Sequence, residues 1–380
     1  MNETTQNESL DYRFGSLTSL FSQVRNLSEW NEDKPFVERK CCIMFFTNGN
    51  LSRIRKTLAQ FTDKPIRVIL LDDTAANDVS EFVKQEYTNT NISYHGSREQ
   101  SEILQIFEGL TDQTTDFFSA FGRSYWTLGH CRNYAVALAK LLGFERILMV
   151  DDDMLVQSYE QVLQVFKLLS RFNIVGAKTF GMADDSVVGH IIRLLGLEQD
   201  DFISGQFVGI EVNSVSYYFP NVYNEDWLFF FLEHTKSSLA QYTEVEQLKY
   251  DPFERAGRKS LFQEFGEIAV DGVFEAVVYR KNAALLQRRW FWTDICSERK
   301  KLLAEIQRMT ESLPNGKRFK EIFDALRTYH LSLNPIQFSF FFAEYCRSLD
   351  GWHSLLDKLS KYHQCHQGVS LPKSNAFRAD

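Results

Sequence analysis

The segment FERILMVDDDMLVQS, residues 144–158, decides the fold of this chain. A short apolar run leads directly into Asp151, Asp152 and Asp153, and a second apolar pair follows the acids. Aspartate is depleted in strands, and carboxylates placed side by side repel each other. The pattern therefore predicts a buried strand that ends at the three acids, and it indicates that the acids have a role of their own.

Two similar segments come earlier in the chain, CCIMFFTNGN at 41–50 and PIRVILLDDT at 65–74, and both end in polar residues. Helical periodicity in LSRIRKTLAQF, VSEFVKQEY and HCRNYAVALAKLLG separates the apolar runs. This alternation predicts an α/β fold with a mostly parallel, doubly wound sheet. Open α/β sheets bind ligands at the carboxyl ends of their strands. We therefore expect residues 48–50, 72–73 and 151–153 to line one site.

The second half of the chain has a different pattern. IVGAKTFG, FISGQFVGIEV and VSYYFP resemble strands of a mixed or antiparallel extension, and NEDWLFFFLEHT resembles a helix entered through acids. From about residue 280 the chain is helical and rich in aromatic residues, which favours a core, a sugar-stacking surface or a dimer interface. The expected organisation is a helical lead-in over 1–38, an α/β domain over 39–275 and a C-terminal helical subdomain over 276–380.

Composition narrows the functional classes. The 380 residues carry a formal net charge of −8, which argues against a nucleic-acid backbone as the main partner. The opening MNETTQNESLDY lacks the regions of a signal peptide, and no window reaches the roughly 18 apolar residues of a membrane helix. The six cysteines include no CxxC pair, which is typical of reduced thiols. These features predict a cytoplasmic protein without a transmembrane segment.

The three aspartates have two reasonable roles, which are to cap neighbouring backbone or to hold a hard cation. Residues two apart in a strand face the same side, so Asp151 and Asp153 could bind one ion together. If the strand has already bent into a turn, Asp152 and Asp153 could share the ion instead. Mg²⁺ or Mn²⁺ bound by one or two carboxylates takes its remaining ligands from water and substrate phosphates. The segment therefore predicts an ion that connects the sheet to a diphosphate.

The segment LGHCRNYAVALAKLLGFERILMVDDD resembles the core signature of nucleotide-sugar glycosyltransferases of the GT-A fold. In that superfamily a G-x-x-x-R-N segment opens a helix that leads into the strand carrying the DxD motif. FFTNGN is similar to the first strand and loop, VILLDDT to the second strand, and NEDWLF to the Glu-Asp motif of the acceptor side. The resemblance covers roughly residues 40–235. It implies a metal-dependent hexosyltransferase that uses a UDP- or GDP-sugar donor.

The resemblance also implies roles for individual residues. Asp153 would bind the metal, with Asp151 as its partner, and Asp152 would contact the ribose or the metal. The residues expected to bind the donor are Thr47, Asn48, Gly49, Asp72 or Asp73, Arg132, Asn133, Asp151 and Asp152. The third metal ligand of the superfamily is commonly histidine, for which His190 and His234 are candidates. An ordinary surface ion pair is the alternative for Arg132.

Asp226 is the expected catalytic base of an inverting transfer, in which one carboxylate accepts the proton of the acceptor hydroxyl. Glu225 would raise the pKa of Asp226 or orient the acceptor. Alternatively, the acids of NED only cap a helix through Asn224. A second acidic block, QEFGEIAVDG, has Glu264, Glu267 and Asp271 at helical spacing. A solvated helix face is the expected interpretation of that block, and a role at the acceptor site or in a retaining mechanism is the alternative.

Two other functional classes remain open. A nucleotidyltransferase shares the same type of nucleotide-binding sheet, but it normally has a glycine-rich and basic phosphate loop after the first strand. TNGNLSRIRK contains one glycine and lacks that pattern. The other class is a non-catalytic relative that binds a sugar nucleotide or a partner protein. The acids at the ends of all three strands argue against it. The acceptor is not identified by the sequence.

Overall fold

The fold is built around one mixed β-sheet, which confirms the predicted α/β class. The structure is a computed structural model that describes residues 22–24, 40–74, 78–88, 90–111, 128–182, 186–197, 203–311, 313 and 316–365. The strands of the described residues are β1 Ser22–Val24, β2 Cys41–Thr47, β3 Arg67–Asp72, β4 Ile92–His95, β5 Arg146–Asp151, β6 Met154–Leu155, β7 Ile174–Phe180, β8 Ile203–Glu211 and β9 Leu239–Gln247. They lie in the sheet in the order β1-β9-β7-β8-β5-β2-β3-β4, and β6 pairs with β9.

One half of the sheet is parallel, and it contains the strands that carry the predicted site. The strands β5, β2, β3 and β4 are neighbours and run in the same direction. Thr47 pairs with Asp72, and Phe46 pairs with Asp151, so the carboxyl ends of β2, β3 and β5 lie next to each other. All seven residues of β2 are buried, as expected for a strand covered on both faces.

The other half of the sheet is the predicted mixed extension. The strand β8 pairs antiparallel with both β5 and β7, whereas β7 and β9 are parallel to each other. One expected strand, VSYYFP at 215–220, has no strand pairing. Its backbone is satisfied by side chains instead: Asn133 accepts a hydrogen bond from the Phe219 N–H, and Glu233 accepts hydrogen bonds from the N–H groups of Ser216 and Tyr217.

Helices cover both faces of the sheet. One face packs against an apolar cluster that includes residues of α1, α2 and α5, and the opposite face packs against a second cluster that includes residues of α4, α7 and α8. These helices precede residue 280. Their bounds are α1 Leu51–Leu58, α2 Asp78–Glu86, α3 Ser97–Leu110, α4 Leu128–Leu142, α5 Tyr159–Leu168, α6 Val187–Leu194, α7 Glu225–Glu233 and α8 Ala256–Val273.

The C-terminal region is helical, as predicted, and it shares the core of the α/β part. A π-helical turn over Phe274–Tyr279 and a 3-10 turn over Ala283–Gln287 lead into α9 Arg289–Thr310, α10 Gly316–Ser332 and α11 Ile336–Cys365. Trp292, Phe338 and Trp352 belong to the same buried cluster as Met44 of β2. The hydroxyl of Tyr345 donates a hydrogen bond of 2.6 Å to the Tyr218 carbonyl. This sharing of core residues ties the C-terminal helices to the sheet, while the domain limits remain a prediction.

The described part of the lead-in differs from the expected helix. Residues Ser22–Val24 form a strand that pairs in parallel with β9, from Ser22 opposite Ala240 to Val24 opposite Tyr242. The rest of the 1–38 lead-in before Lys40 lies outside the described residues. An exposed edge of β9 favours pairing with any extended segment that can reach it, because its backbone groups need partners. None of the helices in the described part of the chain combines the length and apolar character needed to cross a bilayer.

Candidate active site

The carboxyl end of β2 is joined to the turn after β5 by side chains. The Thr47 hydroxyl donates a 2.7 Å hydrogen bond to Asp152 Oδ2, and the Thr57 hydroxyl of α1 donates one of 3.0 Å to the Asp152 carbonyl. Gly49 has a φ of +88°, and a Cβ there would lie 3.0 Å from Thr74 Cγ2. Glycine is therefore suited to this loop, because the left-handed conformation is strained for other residues. Thr47 holds the turn in place, whereas the exposed Asn48 faces solvent.

The end of β3 divides the two predicted aspartates between different roles. Asp72 is fully buried, and its Oδ1 accepts hydrogen bonds from the backbone N–H and the hydroxyl of Thr74, at 3.0 and 2.8 Å. Its Oδ2 accepts a 2.9 Å hydrogen bond from the Tyr94 hydroxyl. These contacts make Asp72 an organiser of the loop. Asp73 is exposed at the same edge, so it is the one of the two that a ligand could reach.

The three aspartates are divided between two arginines. The strand ends at Asp151, and Asp152 and Asp153 lie in the following turn. Arg132 Nη2 lies 3.6 Å from Asp151 Oδ2, while Arg53 Nη1 lies 3.6 Å from Asp152 Oδ1 and 3.9 Å from Asp153 Oδ2. Asp152 and Asp153 therefore share Arg53, while Asp151 faces Arg132.

Burial acts on the two aspartates of the turn. It raises the pKa of Asp152, although the Thr47 hydrogen bond opposes the shift. Burial also raises the pKa of Asp153, and the Gln247 amide, 3.2 Å from Asp153 Oδ2, opposes it. A cation close to both groups stabilises their charged forms. Arg53 supplies one such charge from the first turn of α1.

Arg53 and Gln247 were not predicted, and only Arg53 had a signal in the sequence. The helix α1 follows β2 directly, so the residues of its first turn must lie at the carboxyl edge of the sheet. The apolar positions Leu51, Ile54 and Leu58 pointed to a helix there. Gln247 ends β9, a strand that the sequence analysis did not identify, and its contact with Asp153 spans 94 positions of the chain.

Arg132 is the centre of a buried ionic group that connects β5 to α7. Its side chain is 1 % exposed, its Nε donates a 3.0 Å hydrogen bond to Glu225 Oε1, and its Nη1 donates to the Gly205 carbonyl of β8. Burial works against its charged form, but Asp151 and Glu225 outweigh this and raise the pKa of Arg132. The surface ion pair considered as an alternative is therefore excluded. A Cβ at Gly205 would lie 2.9 Å from Arg132 Cζ, so only glycine leaves room for this arrangement.

Asp226 lies beside this group at the start of α7. Its Oδ2 accepts a 2.8 Å hydrogen bond from the Gly205 N–H, and its Oδ1 accepts one of 2.8 Å from the Trp227 N–H. The residue is 8 % exposed. Each carboxylate oxygen can accept more than one hydrogen bond, so both oxygens keep acceptor capacity. Asn224 precedes the helix with a left-handed φ of 61° and makes no side-chain cap hydrogen bond, so capping through Asn224 is not its role.

Asn133, which was predicted to bind the donor, has both atoms of its side-chain amide bonded to protein backbone. The side chain is fully buried, its Nδ2 donates a 2.8 Å hydrogen bond to the Phe219 carbonyl, and its Oδ1 accepts one of 2.7 Å from the Phe219 N–H. This reciprocal pair fixes segment 215–220 against α4. The amide is therefore engaged with protein backbone, at a place where the sequence predicted a contact with phosphate or sugar.

The acidic block at 264–271 also differs from the expected solvated face. Glu264 is fully buried and forms a bidentate pair with Arg299 of α9, with Nε–Oε1 and Nη2–Oε2 distances of 3.0 Å each. His330 Nε2 of α10 lies 2.7 Å from Glu264 Oε1, and Glu267 Oε2 lies 3.1 Å from Arg299 Nη2. Acids at helical spacing can lie on a solvent-exposed face or on a face that is covered by an arginine from a distant part of the chain, and the spacing alone does not distinguish the two.

Asp151 and Asp153 carry the oxygen donors that a divalent cation shared with a substrate would need. Among the described residues, no three His, Cys, Asp or Glu side chains are grouped so as to hold a metal. Carboxylates such as Asp151 and Asp153 are the hard oxygen donors that Mg²⁺ and Mn²⁺ prefer, and such ions commonly take one or two of them. Substrate phosphates and water complete the coordination in sites of this kind. His234 directly follows the last residue of α7, at the opposite end of the helix from Asp226, and the helical rise places it roughly 12 Å away.

His190, the other candidate third ligand, is engaged elsewhere. Its Nε2 lies 3.2 Å from the Tyr250 hydroxyl, and its ring packs edge-on against Tyr250 and Phe253. Burial lowers the pKa of His190 to about 4. The side chain is thus neutral at neutral pH and belongs to the core between α6 and the chain after β9.

The lowered pKa of His190 leads to a prediction about acid stability. The unfolded chain takes up a proton near the ordinary histidine pKa, and the folded chain takes it up only near pH 4. The free energy of unfolding is therefore unaffected by this residue at pH 7. As the pH decreases from about 6.5 to 4, protonation of His190 in the unfolded chain lowers the free energy of unfolding by up to about 3 kcal/mol. We expect His190→Gln to flatten this dependence in urea unfolding curves measured at pH 7, 5.5 and 4. Equal pH slopes in the two proteins would contradict the assignment.

The comparisons with known proteins find similarity only among solved structures. No family model and no curated protein matches the chain. A mannosyltransferase from Pyrobaculum calidifontis, solved with GDP-Man and Mn²⁺, is 11% identical with a TM-score of 0.41, covering 90% of this chain and 91% of that chain. TarS from S. aureus is 13% identical with a TM-score of 0.36, covering 88% and 93% respectively.

The similar structures also include a different enzyme class. The 4-diphosphocytidyl-2C-methyl-D-erythritol synthase from Anaerococcus prevotii is 14% identical with a TM-score of 0.31, covering 60% of this chain and 97% of that chain. Several of the similar solved structures are nucleotide-sugar transferases. Their identities and TM-scores are low, so the site residues of this chain are assigned from its own contacts.

Proposed function

We propose that this chain is a metal-dependent glycosyltransferase that moves a sugar from a nucleoside-diphosphate donor to an acceptor hydroxyl, with inversion at the anomeric carbon. One observation carries the proposal. Asp151, the last residue of β5, shares the buried Arg132 with Glu225 at the start of α7. The predicted diphosphate edge and the predicted acceptor side are therefore parts of one connected site.

The donor would bind along the ends of β2 and β3. Asn48 and Asp73 are exposed there, and Gly49 allows close approach of the backbone. Arg53 lies in the first turn of α1, where the helix dipole and the guanidinium both favour a phosphate. We therefore add Arg53 to the predicted donor-binding residues and give Asp72 and Thr47 the role of holding the loops.

Asp151 and Asp153 would hold Mn²⁺ or Mg²⁺, an ion that, when bound, neutralises charge on the departing diphosphate. Asp152 is held away from that task by Thr47, Thr57 and the backbone of Asn48. Its role would be to fix the turn so that Asp153 and Arg53 face the donor. Arg132 would hold Asp151 and Glu225 on its two sides, at the boundary between donor and acceptor.

The acceptor would bind next to Asp226. Two backbone N–H groups orient its carboxylate, and the apolar residues after it anchor α7 in the core. A base fixed in this way could accept the proton of the acceptor hydroxyl while the sugar is transferred. The pairing of Glu225 with Arg132 makes Glu225 a positioning residue and leaves Asp226 as the base.

Binding of nucleotide and metal should be coupled. We expect UDP or GDP to raise the melting temperature only when Mn²⁺ or Mg²⁺ is present. A nucleotide concentration of 100 times the dissociation constant should raise the free energy of unfolding by about 2.7 kcal/mol. Asp153→Asn should abolish the metal-dependent part of the shift. Glu246→Gln removes an exposed carboxylate on β9 and is the control, which should keep the metal-dependent shift.

The measurement is thermal unfolding with nucleotide alone, metal alone and both together. A shift that survives EDTA, or one that is unchanged in Asp153→Asn, would contradict the metal role. If no nucleoside diphosphate shifts the transition at millimolar concentration, the transferase proposal itself fails.

A further inference from the structure

A charged feature outside the site is the loop that joins the π-helical turn to α9. Residues 279–290, YRKNAALLQRRW, contain four cationic residues and no acid, in a chain whose net charge is −8. The cations Arg280, Lys281, Arg288 and Arg289 are all exposed. We call residues 279–290 the basic loop. A local charge of this sign, opposite to that of the whole chain, is typical of a surface that binds an anionic partner.

The basic loop also exposes large aromatic side chains. Tyr279 is 51 % exposed and Trp290 is 54 % exposed, at the two ends of the loop. Residues from both ends of the loop contact Phe291, which is 1 % exposed. The ring centroids of Trp290 and Phe291 are 6.2 Å apart, and Arg280 Cζ lies 5.9 Å from the centroid of the Phe291 ring. The loop therefore brings aromatic rings and cations together on one surface.

The loop is held in shape by the core beneath it. Trp292 is fully buried, and its Nε1 donates a 2.8 Å hydrogen bond to the Leu286 carbonyl. Backbone hydrogen bonds from Asn282 to Ala276 and from Arg288 to Leu285, at 2.7 and 2.8 Å, close the loop on itself. Its exposed side chains are thus presented by a fixed backbone, which lowers the entropic cost of binding.

Local stability does not explain this arrangement. The helix α9 begins with Arg289 and has no acid in its first turn, although cations near a helix N-terminus are unfavourable. Lys281 has a φ of 49°, a left-handed conformation that is uncommon outside glycine. Among the described residues, Arg280 pairs with Glu275 at 2.7 Å, whereas Lys281, Arg288 and Arg289 show no ion pair. Three cations are therefore available to a partner.

We propose that the basic loop binds an anionic lipid membrane surface, with Tyr279 and Trp290 at the headgroup level and the cations on the lipid charges. Clusters of Lys and Arg attract anionic lipids, while Trp and Tyr prefer the interface because their rings are amphipathic. The exposed tip, Ala283 and Ala284, carries no charge that would oppose the approach. A soluble polyanion would use the cations without needing the aromatic rings.

The test is co-sedimentation of the full chain with vesicles of phosphatidylcholine alone and of phosphatidylcholine with phosphatidylglycerol. We expect binding only to the anionic vesicles, weakened by added salt. The double variant Arg288→Glu with Arg289→Glu should reduce partitioning at least tenfold. Trp290→Ala should reduce it several-fold, and the reduction should persist at high salt. Lys300→Glu, a single charge reversal at an exposed cation farther along α9, is the control for Lys281→Glu and should bind like the parent chain.

Several outcomes would overturn the proposal. These are no binding of the parent chain to anionic vesicles, equal loss in the Lys300→Glu control, or full binding in both loop variants. Binding to heparin that is unaffected by Trp290→Ala, with no vesicle binding, would assign the loop to a soluble polyanion instead. Circular dichroism melts of each variant show whether a lost interaction reflects lost folding, and Lys281→Glu gives a second charge reversal at another exposed position.

Discussion

Replacing Arg299 by methionine should destabilise the folded chain by about 3–5 kcal/mol, because it leaves the buried carboxylate of Glu264 without its partner. Arg299 is 3 % exposed and contacts both Glu264 and Glu267. Burial raises the pKa of Glu264, but Arg299 and His330 outweigh it, so the pKa of Glu264 is lowered overall. The measurement is urea unfolding at pH 7, where the midpoint should fall strongly.

Two further variants separate the ionic contribution from the packing contribution. Arg308→Met makes the same change on α9 at an exposed pair, and exposed pairs contribute about 1 kcal/mol or less. Adding Glu264→Gln and Glu267→Gln to Arg299→Met should restore part of the lost stability, because the buried side chains are then neutral. If Arg299→Met and Arg308→Met have equal effects, the cluster is not a stabilising element of the fold.

The same cluster reaches the candidate active site. Glu267 Oε1 accepts a 3.2 Å hydrogen bond from Asn224 Nδ2, and Asn224 directly precedes Glu225 and Asp226. The helices α9 and α10 therefore act on the start of α7 through Arg299 and Glu267. This connection explains why an acidic helix face, which the sequence assigned to solvent, is covered: its partner lies 35 positions away in a helix that the local pattern could not place.

The parallel half of the sheet was predictable because its strands are local and fully apolar. The predicted strand at 41–50 corresponds to Cys41–Thr47, and the predicted helix at 130–143 corresponds to Leu128–Leu142. VSYYFP was misassigned, because its rings pack against helices and its backbone bonds to Asn133 and Glu233 rather than to a strand. An apolar run indicates burial, and it does not identify the hydrogen-bond partner of the backbone.

The site was predictable to the extent that it lies on strand ends. Thr47, Asp72 and Asp151 meet at one edge because parallel strands end together. The sequence could not show that Arg132 would join Asp151 to Glu225, since that contact spans 93 positions. The sequence also could not distinguish the role of Asp72 from that of Asp73. The difference arises because the hydroxyls of Thr74 and Tyr94 donate hydrogen bonds to the carboxylate of Asp72.

Asp226→Asn should lower the turnover number by about 10²–10⁴-fold and leave donor affinity nearly unchanged, because a general base acts in the transition state. The asparagine keeps one acceptor oxygen but presents an NH₂ group to one of the two backbone N–H donors. This mismatch should cost about 1–3 kcal/mol of stability. Rates must therefore be compared at a temperature at which both proteins are fully folded.

Glu233→Gln is the matched control for the structural part of that effect. Glu233 ends the same helix, is fully buried, and accepts hydrogen bonds from the N–H groups of Ser216 and Tyr217. It lies about 10 Å from Asp226 along α7, by the helical rise. We expect Glu233→Gln to keep its turnover number, because Glu233 lies at the far end of α7 from Asp226. Its loss of stability should be smaller than that of Asp226→Asn, because both N–H groups bond to Oε1, which glutamine keeps, and the new NH₂ group can donate to the Ser237 hydroxyl.

The stereochemistry of the product decides between the two roles of Asp226. If Asp226 is the base of a single displacement, NMR of the first product should show inversion at the anomeric carbon, and Asp226→Asn should lower the rate without changing that outcome. Retention would require a different mechanism. A near-normal rate in Asp226→Asn, or equal losses in Asp226→Asn and Glu233→Gln, would make Asp226 a residue that orients Gly205 and α7. In that case its carboxylate would act through the backbone that it holds, and the proton would need another acceptor at the same edge of the sheet.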